Sequence, residues 1–288
     1  MTAAEGWREL KNMLNEAGVS DAGFDARCLL EHAGCAFPLD AAELPPEQWQ
    51  AAQALAQRRC AREPLQYILG SWPFLDLELK VGPGVLVPRP ETEELCQTAA
   101  QLMAGEAMPV AADLCSGSGA LALGLQSLLP DALVAAVEKE EEAFAYLLQN
   151  VAAFGQTHED VPVAIQADVM EWHRELEDES YDLVVCNPPY VTQEEYGVLE
   201  PELYAEPRAA LVPQGAQDAQ DGLVFYREIP RLYRAKLRRG GWLAFEIGAS
   251  QGGAVCALLR KNGYSEVHLC KDLSGHDRMA LGRRPEAD

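Results

Sequence analysis

The sequence predicts an α/β protein in which a small all-helical N-terminal domain precedes a mostly parallel sheet of seven strands. Three observations carry this reading. Up to Leu69, apolar residues recur at helical spacing. From Val110 onward, short apolar runs alternate with helical stretches, the pattern of a parallel sheet covered by helices on both faces. Between the two regions, alternating apolar residues read as a strand pair.

Taken in order, the helical region from Trp7 to Leu69 breaks at Gly18, Gly34 and Pro45-Pro46, so several short helices are expected. In Trp72 to Val87 the residues Phe74, Leu75, Leu77, Leu79, Val81, Val85 and Val87 largely alternate with others, and the turn is expected around Gly82-Pro83-Gly84. Pro88-Arg89-Pro90 opens a helix, because proline suits the first helical position and Glu91, Glu93 and Glu94 fall where the helix dipole favours anions. Strands are expected at Val110 to Leu114, Leu133 to Val137, Val163 to Gln166, Tyr181 to Cys186, Trp242 to Ile247 and Val267 to Cys270, with Arg278 to Leu281 as the last. The basic run Arg227, Arg231, Arg234, Lys236, Arg238 and Arg239 reads as a solvated helix face that stops at Gly240-Gly241. The domain boundaries that follow are 1–71, 72–90 and 91–288.

Composition narrows the class. A formal net charge of -22 speaks against a protein whose main partner is nucleic acid, since phosphates call for excess Lys and Arg. The longest apolar stretches, such as Ala120 to Leu125, fall far short of the roughly 18 residues of a membrane span. The N-terminus lacks the apolar run of a secretory signal, so a cytoplasmic location is expected. The eight cysteines are scattered and several sit in apolar runs, which reads as free buried thiols. No CxxC, HxxxH or HExxH spacing occurs, so no metal site is expected.

Two segments carry chemistry. Asp113-Leu114-Cys115-Ser116-Gly117-Ser118-Gly119 ends the first strand of the sheet and leads into a helix near Ala120. Its glycines let the backbone pass close beneath a ligand, and the helix N-terminus offers N–H groups to a carboxylate. Glu138, ending the second strand, is placed to accept the hydroxyls of a ribose. Gly117, Gly119 and Ala122 also satisfy the dinucleotide pattern with Glu138 about 20 residues on, so a nicotinamide cofactor stays open on spacing alone. Against it, Asp113 would repel a pyrophosphate but attract the ammonium of an amino-acid-like cofactor, which S-adenosylmethionine possesses. Asp168, just past the third strand, is placed to reach an adenine amino group.

The second segment, Asn187-Pro188-Pro189-Tyr190, follows the apolar strand Tyr181 to Cys186. Two prolines fix the backbone and remove N–H donors, leaving carbonyls as pure acceptors. An NH2 group held here donates one hydrogen to the Asn187 side-chain oxygen and the other to the Pro188 carbonyl, while Tyr190 stacks on the planar group. Asn187, Pro188 and Tyr190 are thus the candidate catalytic residues. Transfer to a neutral nitrogen needs positioning and carbonyl dipoles rather than a strong base. Arg89, fixed between two prolines, is a further candidate for contact with substrate.

These residues resemble the class I S-adenosylmethionine-dependent methyltransferases, and specifically the HemK/PrmC family of protein-glutamine methyltransferases. The resemblance covers nearly the whole chain and rests on Arg62 to Gly70, Val87 to Glu93, Asp113 to Gly119 and Tyr181 to Tyr190. It implies an antiparallel last strand in the sheet, a helical substrate-docking domain (1–71), a hairpin linker (72–90) and a Rossmann-like methyltransferase domain (91–288). The implied reaction methylates the glutamine side-chain amide in the Gly-Gly-Gln motif of bacterial class I peptide-chain release factors, with S-adenosylhomocysteine as by-product. Carried over position by position, Asp113, Cys115, Ser116, Gly117, Ser118, Gly119, Glu138, Asp168 and Val169 would contact the cofactor. Asn187 would touch both ligands, and Pro188, Pro189 and Tyr190 would hold the glutamine. Cys115 departs from the family's usual glycine, and Val169 stands where some members carry an aromatic residue. A monomer that binds neither membrane nor nucleic acid directly is expected.

Other readings stay open at this level. An exocyclic adenine or guanine NH2 fits the same acceptor clamp, so a nucleic-acid amino methyltransferase is the nearest alternative by chemistry. A ribosomal-protein glutamine methyltransferase shares the clamp. A silent scaffold that binds the translation machinery through its helical domain is the alternative from a different class.

Overall fold

The computed structural model describes residues 1–214 and 220–287, and the chain divides into two compact units. One comprises Met1–Trp72 with Glu200–Ala205, the other Pro73–Leu199 with Glu206–Asp288.

The first unit is built from α1 (Ala3–Glu16), α2 (Ala22–His32), α3 (Pro46–Cys60) and α4 (Leu65–Leu69). Thr2 and Glu5 form a capping box that satisfies two backbone donors at the start of α1. Ala3, Gly6, Leu10 and Leu14 form the buried stripe of α1, and Leu10, Leu14, Leu29 and Leu30 are sealed from solvent. Each such leucine contributes about 2 kcal/mol through burial. The predicted breaks are where the chain turns, with Gly18 and Gly34 in the left-handed region. Inside the unit, Arg59 donates to Asp25 at 2.7 Å, with both side chains almost fully buried, and Arg59 and Arg62 each reach Glu202 at 2.7 Å. Burial pushes the Asp25 carboxyl up.

The second unit takes in β1 (Ser71–Phe74), at whose second residue the first unit ends, and β2 (Leu77–Lys80), which pair as a two-stranded sheet. The turn lies at Leu75 and Asp76 rather than at Gly82-Pro83-Gly84 as the alternation suggests. Leu75 adopts a positive φ of 53°, and its N–H is held by the Glu93 carboxylate at 2.9 Å. A side chain from a later helix therefore stabilises a turn that has no glycine.

After α5 (Pro90–Leu102) come β3 (Val110–Leu114), α6 (Ala120–Leu128), β4 (Leu133–Glu138), α7 (Glu141–Phe154), β5 (Val163–Gln166), α8 (Val169–Trp172) and β6 (Tyr181–Cys186). The rest is α9 (Gln193–Tyr196), α10 (Arg208–Leu211), α11 (Val224–Tyr233), β7 (Leu237–Glu246), α12 (Gly252–Lys261), β8 (Ser265–Lys271) and β9 (Asp277–Arg283). The seven strands β3 to β9 form one sheet in the order β5-β4-β3-β6-β7-β9-β8, in which only β9 runs against its neighbours. The predicted α/β class and antiparallel last strand are both observed.

The central strands β3 and β6 are covered on both faces, so they are mainly apolar. In β6, Leu183 and Val185 join the core with α5, α6 and α7, whereas Val184 and Cys186 join the core with α11 and α12. The basic run is not one helix. α11 ends at Tyr233, and Leu237 to Arg239 enter β7, because Leu237 is fully buried and pairs with Tyr181. Its cations are paired locally: Arg227 with Asp221, Arg231 with Glu228, Lys236 with Asp178 and Arg238 with Asp182. That pairing accords with a solvated face.

Among the described residues, no helix is long and apolar enough to cross a membrane. All eight cysteines are free, and Cys35, Cys96, Cys186 and Cys256 are buried.

Candidate active site

Strand order determines where a ligand can enter. The chain winds outward from β3 through β4 to β5 and then returns to β6 on the other side of β3. Crossovers therefore leave β3 and β6 in opposite directions, and a crevice opens outside their carboxyl ends. The register sets Asp113 beside Val185 and Leu114 beside Cys186, so the loop after β3 and the Asn187 segment after β6 are neighbours. A cavity of about 610 Å³ occupies this crevice.

The loop after β3 is tightly wound. Cys115, Gly117 and Gly119 all take positive φ, at 65°, 56° and 88°. At Gly119 a Cβ would lie 2.6 Å from the Leu147 Cδ1, so a side chain is excluded on two counts. Glu138 fastens this loop: its carboxylate accepts the backbone N–H groups of Gly117, Lys139 and Glu140 at 2.8, 2.7 and 2.8 Å. Burial outweighs those bonds and raises its pKa.

Asp113 is fully buried at the foot of the loop. One carboxylate oxygen accepts the Ala122 N–H at 3.1 Å, while Oδ1 has no protein partner. Burial is the main cause that pushes this carboxyl up to about 7. A buried carboxylate oxygen with nothing to accept is costly, and it fits a cationic ligand group delivered from the cavity.

Asp168 caps the start of α8 by accepting the Met170 N–H at 2.9 Å, and it pairs with the Lys139 ammonium at 3.0 Å. Val169 is buried, and its carbonyl accepts the Tyr233 hydroxyl. Asp113, Cys115, Ser116, Gly117, Ser118, Glu138, Asp168, Val169, Asn187 and Pro189 all line the cavity. Gly119, Pro188 and Tyr190 adjoin these lining residues in the chain. Pro188 is buried, and the half-buried Tyr190 is anchored by its carbonyl to the Gln251 side chain at 3.1 Å and by its hydroxyl to Glu246 at 3.4 Å. Burial, and then the nearby Glu246 charge, raises the Tyr190 pKa.

Arg89 is not brought to the cavity wall. It pairs with the buried carboxylate of Glu206, which also accepts the Val87 N–H at 3.1 Å. In this structure Arg89 thus braces the segment around Val87. Two residues that sequence reasoning missed complete the site. Thr92, 5% exposed in the first turn of α5, lines the cavity and accepts the Asn187 amide N–H at 3.2 Å. Its hydroxyl donates to Glu246, the last residue of β7, at 2.6 Å. The signal for Thr92 was its place in the Val87 to Glu93 segment. Glu246 gave none beyond an acid closing an apolar strand.

Residues 5–70 match the PrmC N-terminal domain model, and residues 95–218 match the methyltransferase small domain. A release factor glutamine methyltransferase of Cereibacter sphaeroides is 36% identical over 100% of both chains. One from Caulobacter vibrioides is 35% identical over 98% of this chain and 96% of its own. Among solved structures, the hMettl16 catalytic domain in complex with an MAT2A 3′UTR hairpin aligns with a TM-score of 0.58 at 18% identity, covering 81% of this chain and 82% of that one. A T. thermophilus 16S rRNA N2 G1207 methyltransferase solved with AdoMet and guanosine aligns with a TM-score of 0.51 at 19% identity, covering 74% of this chain and 49% of that one. These two share the fold, a class I methyltransferase sheet. The match to curated relatives spans both the helical unit and the sheet, and the chain belongs to the release factor glutamine methyltransferase family.

Proposed function

We propose that this protein methylates the side-chain amide nitrogen of a protein glutamine, the one in the Gly-Gly-Gln tip of bacterial class I peptide-chain release factors. The observation that carries the reading is the placement of Asp113 and Asn187 at the ends of adjacent strands, on the wall of one cavity, in a chain of this family.

When bound, S-adenosylmethionine supplies a methyl group on a sulfonium and leaves as S-adenosylhomocysteine. The Asp113 Oδ1, buried and without a protein partner, suits its ammonium. Cys115 to Gly119 bring backbone close to it, and Glu138, Asp168 and Val169 line the remainder of its place. The Asn187 side-chain oxygen and the Pro188 carbonyl accept the two hydrogens of the glutamine NH2, with Pro189 and Tyr190 flanking the amide plane. Accepting these hydrogens raises electron density on the amide nitrogen and aligns it, which supplies the orientation that the transfer needs. The nitrogen lone pair would form the new bond to carbon as the carbon–sulfur bond breaks, the neighbouring carbonyl dipoles stabilise the positive charge that develops on nitrogen, and the proton then shed passes to solvent. In this reading the helical unit docks the release factor, and the protein works as a monomer in the cytoplasm.

The test is incubation with labelled S-adenosylmethionine and, in separate reactions, a release factor, its tip Gln→Ala variant, a ribosomal protein, and DNA or RNA. Label on the release factor, absent from the tip variant, is the expected result. Transfer to nucleic acid or the ribosomal protein in its place would overturn the assignment.

A further inference from the structure

An asparagine amide can be seated in two ways, and only one presents its oxygen to an incoming NH2. The inverted seat would set donor against donor. Which seat the protein holds is decided by what the Asn187 amide NH2 meets. The Asn187 Nδ2 lies 3.2 Å from the Thr92 Oγ1, and the Thr92 hydroxyl lies 2.6 Å from the Glu246 Oε2. Thr92 sits on α5, Asn187 follows β6 and Glu246 ends β7, so three separate elements converge here.

We propose that Thr92 and Glu246 are positioning residues that fix the Asn187 amide with its oxygen facing the acceptor nitrogen. The argument is one of donor count, and it rests on the glutamine-methyltransferase reading above for the identity of the acceptor. An ionised carboxylate only accepts, so Thr92 must give Glu246 its single O–H. What remains on the Thr92 oxygen is lone pairs, which only a donor can satisfy. Asn187 must therefore turn its NH2 toward Thr92 and its oxygen toward the cavity. The other Glu246 oxygen receives the Tyr190 hydroxyl at 3.4 Å, so one carboxylate references both ends of the Asn187 to Tyr190 segment. Glu246 is 2% exposed, and Thr92 is 5% exposed, which keeps water from scrambling the order.

Protonation of Glu246 would reverse the chain. A carboxylic acid can donate to the Thr92 oxygen, releasing the Thr92 hydroxyl to donate to the Asn187 oxygen and turn the amide over. Burial is the main influence and pushes the Glu246 carboxyl up; of the charged and titratable groups facing it, Arg278 favours its ionised form, Glu91 opposes it, and the Tyr190 hydroxyl donates to it.

The test compares Thr92→Val, which keeps the shape and loses the hydroxyl, with Thr92→Ser, which keeps the hydroxyl. At saturating cofactor, Thr92→Val is expected to lower kcat on the release factor about 100-fold, as expected when a reacting group is misplaced. Its S-adenosylmethionine affinity should stay within a few-fold of the parent, and Thr92→Ser should recover most of the turnover. In the parent, kcat should fall on acidification with a midpoint near the Glu246 value of about 7, and Glu246→Gln should remove that limb along with most of the activity. A Thr92→Val enzyme with parental kcat and parental pH profile overturns the proposal. An activity-independent measurement separates it from the acceptor assignment. The Asn187 side-chain NH2 resonance, identified by its loss in Asn187→Ala, should shift with pH in the parent protein and not in Thr92→Val. If it does neither, the positioning chain is wrong whatever the acceptor is. If it does both while the release factor takes no label, only the acceptor assignment fails.

Discussion

The Asp113 carboxylate spends one oxygen on the Ala122 N–H, at 3.1 Å across the start of α6, and keeps the other sealed in the protein with nothing to accept. The loop between these two residues is thereby pinned around a negative charge that only a ligand can complete. Because burial pushes this carboxyl up to about 7, a cofactor ammonium must draw it back into the ionised form. S-adenosylmethionine affinity should therefore weaken as pH falls below about 7, and calorimetry near that pH in buffers of different ionisation enthalpy should show proton release on binding. A pH-independent affinity between 5.5 and 8 would contradict the assignment.

The same shift has a consequence for stability, with the opposite preference. A carboxyl whose folded pKa is raised stabilises the fold most below its unfolded value of 3.8, and that contribution is lost as pH rises through about 7. Asp113→Asn should lose cofactor binding. In the absence of cofactor it should nonetheless unfold at a higher temperature than the parent at pH 8, with the difference shrinking by pH 5.

Asn187→Ala should abolish methyl transfer, lowering kcat by at least about 1000-fold, because it removes the acceptor that orients the nitrogen. Cofactor binding should be weakened but measurable by calorimetry. Unchanged turnover would refute the clamp.

Positions 115 and 119 of the loop should respond differently. Gly119→Ala places a Cβ at a φ of 88° and 2.6 Å from Leu147, so a loss of about 2 kcal/mol is expected from strain and crowding. Cys115→Gly relieves a left-handed non-glycine residue of about 1 kcal/mol of strain while adding unfolded-chain entropy of similar size. Denaturant unfolding should find Cys115→Gly within about 1 kcal/mol of the parent.

In the helical unit, Arg59→Met should be far more damaging than loss of a surface ion pair. It strands the Asp25 carboxylate, whose side chain is 8% exposed, and removes one of two guanidinium partners of Glu202. A cost of about 3 kcal/mol is expected for a buried charge left without its partner. The double variant Asp25→Leu with Arg59→Met should recover part of it, as read from the unfolding midpoint of this unit.

Much of this molecule was legible without coordinates. The bounds of β3, β5 and β6 coincide with the apolar runs that announced them; β3 and β6 lie at the centre of the sheet and are largely buried, whereas β5 is a partly exposed edge strand that ends in Gln166. The Asp113 to Gly119 loop and the Asn187 to Tyr190 segment were legible as well, since each compresses its chemistry into a few consecutive residues. Where the signal was local but ambiguous, the reading slipped. The glycine-proline run at Gly82 to Gly84 looked like the hairpin turn, yet the Glu93 carboxylate holds the turn at Leu75. The basic run looked like one helix until burial of Leu237 drew its second half into β7.

The sequence by itself determined the fold class and the family, because these rest on periodicity and on contiguous motifs. Only the tertiary structure decided that Arg89 pairs with Glu206, and that Thr92 and Glu246, 154 residues apart, form a hydrogen-bonded chain to Asn187. Such pairings follow from strand order and from the packing of α5 beside β7. A hydrogen bond between residues so distant leaves no trace in local spacing.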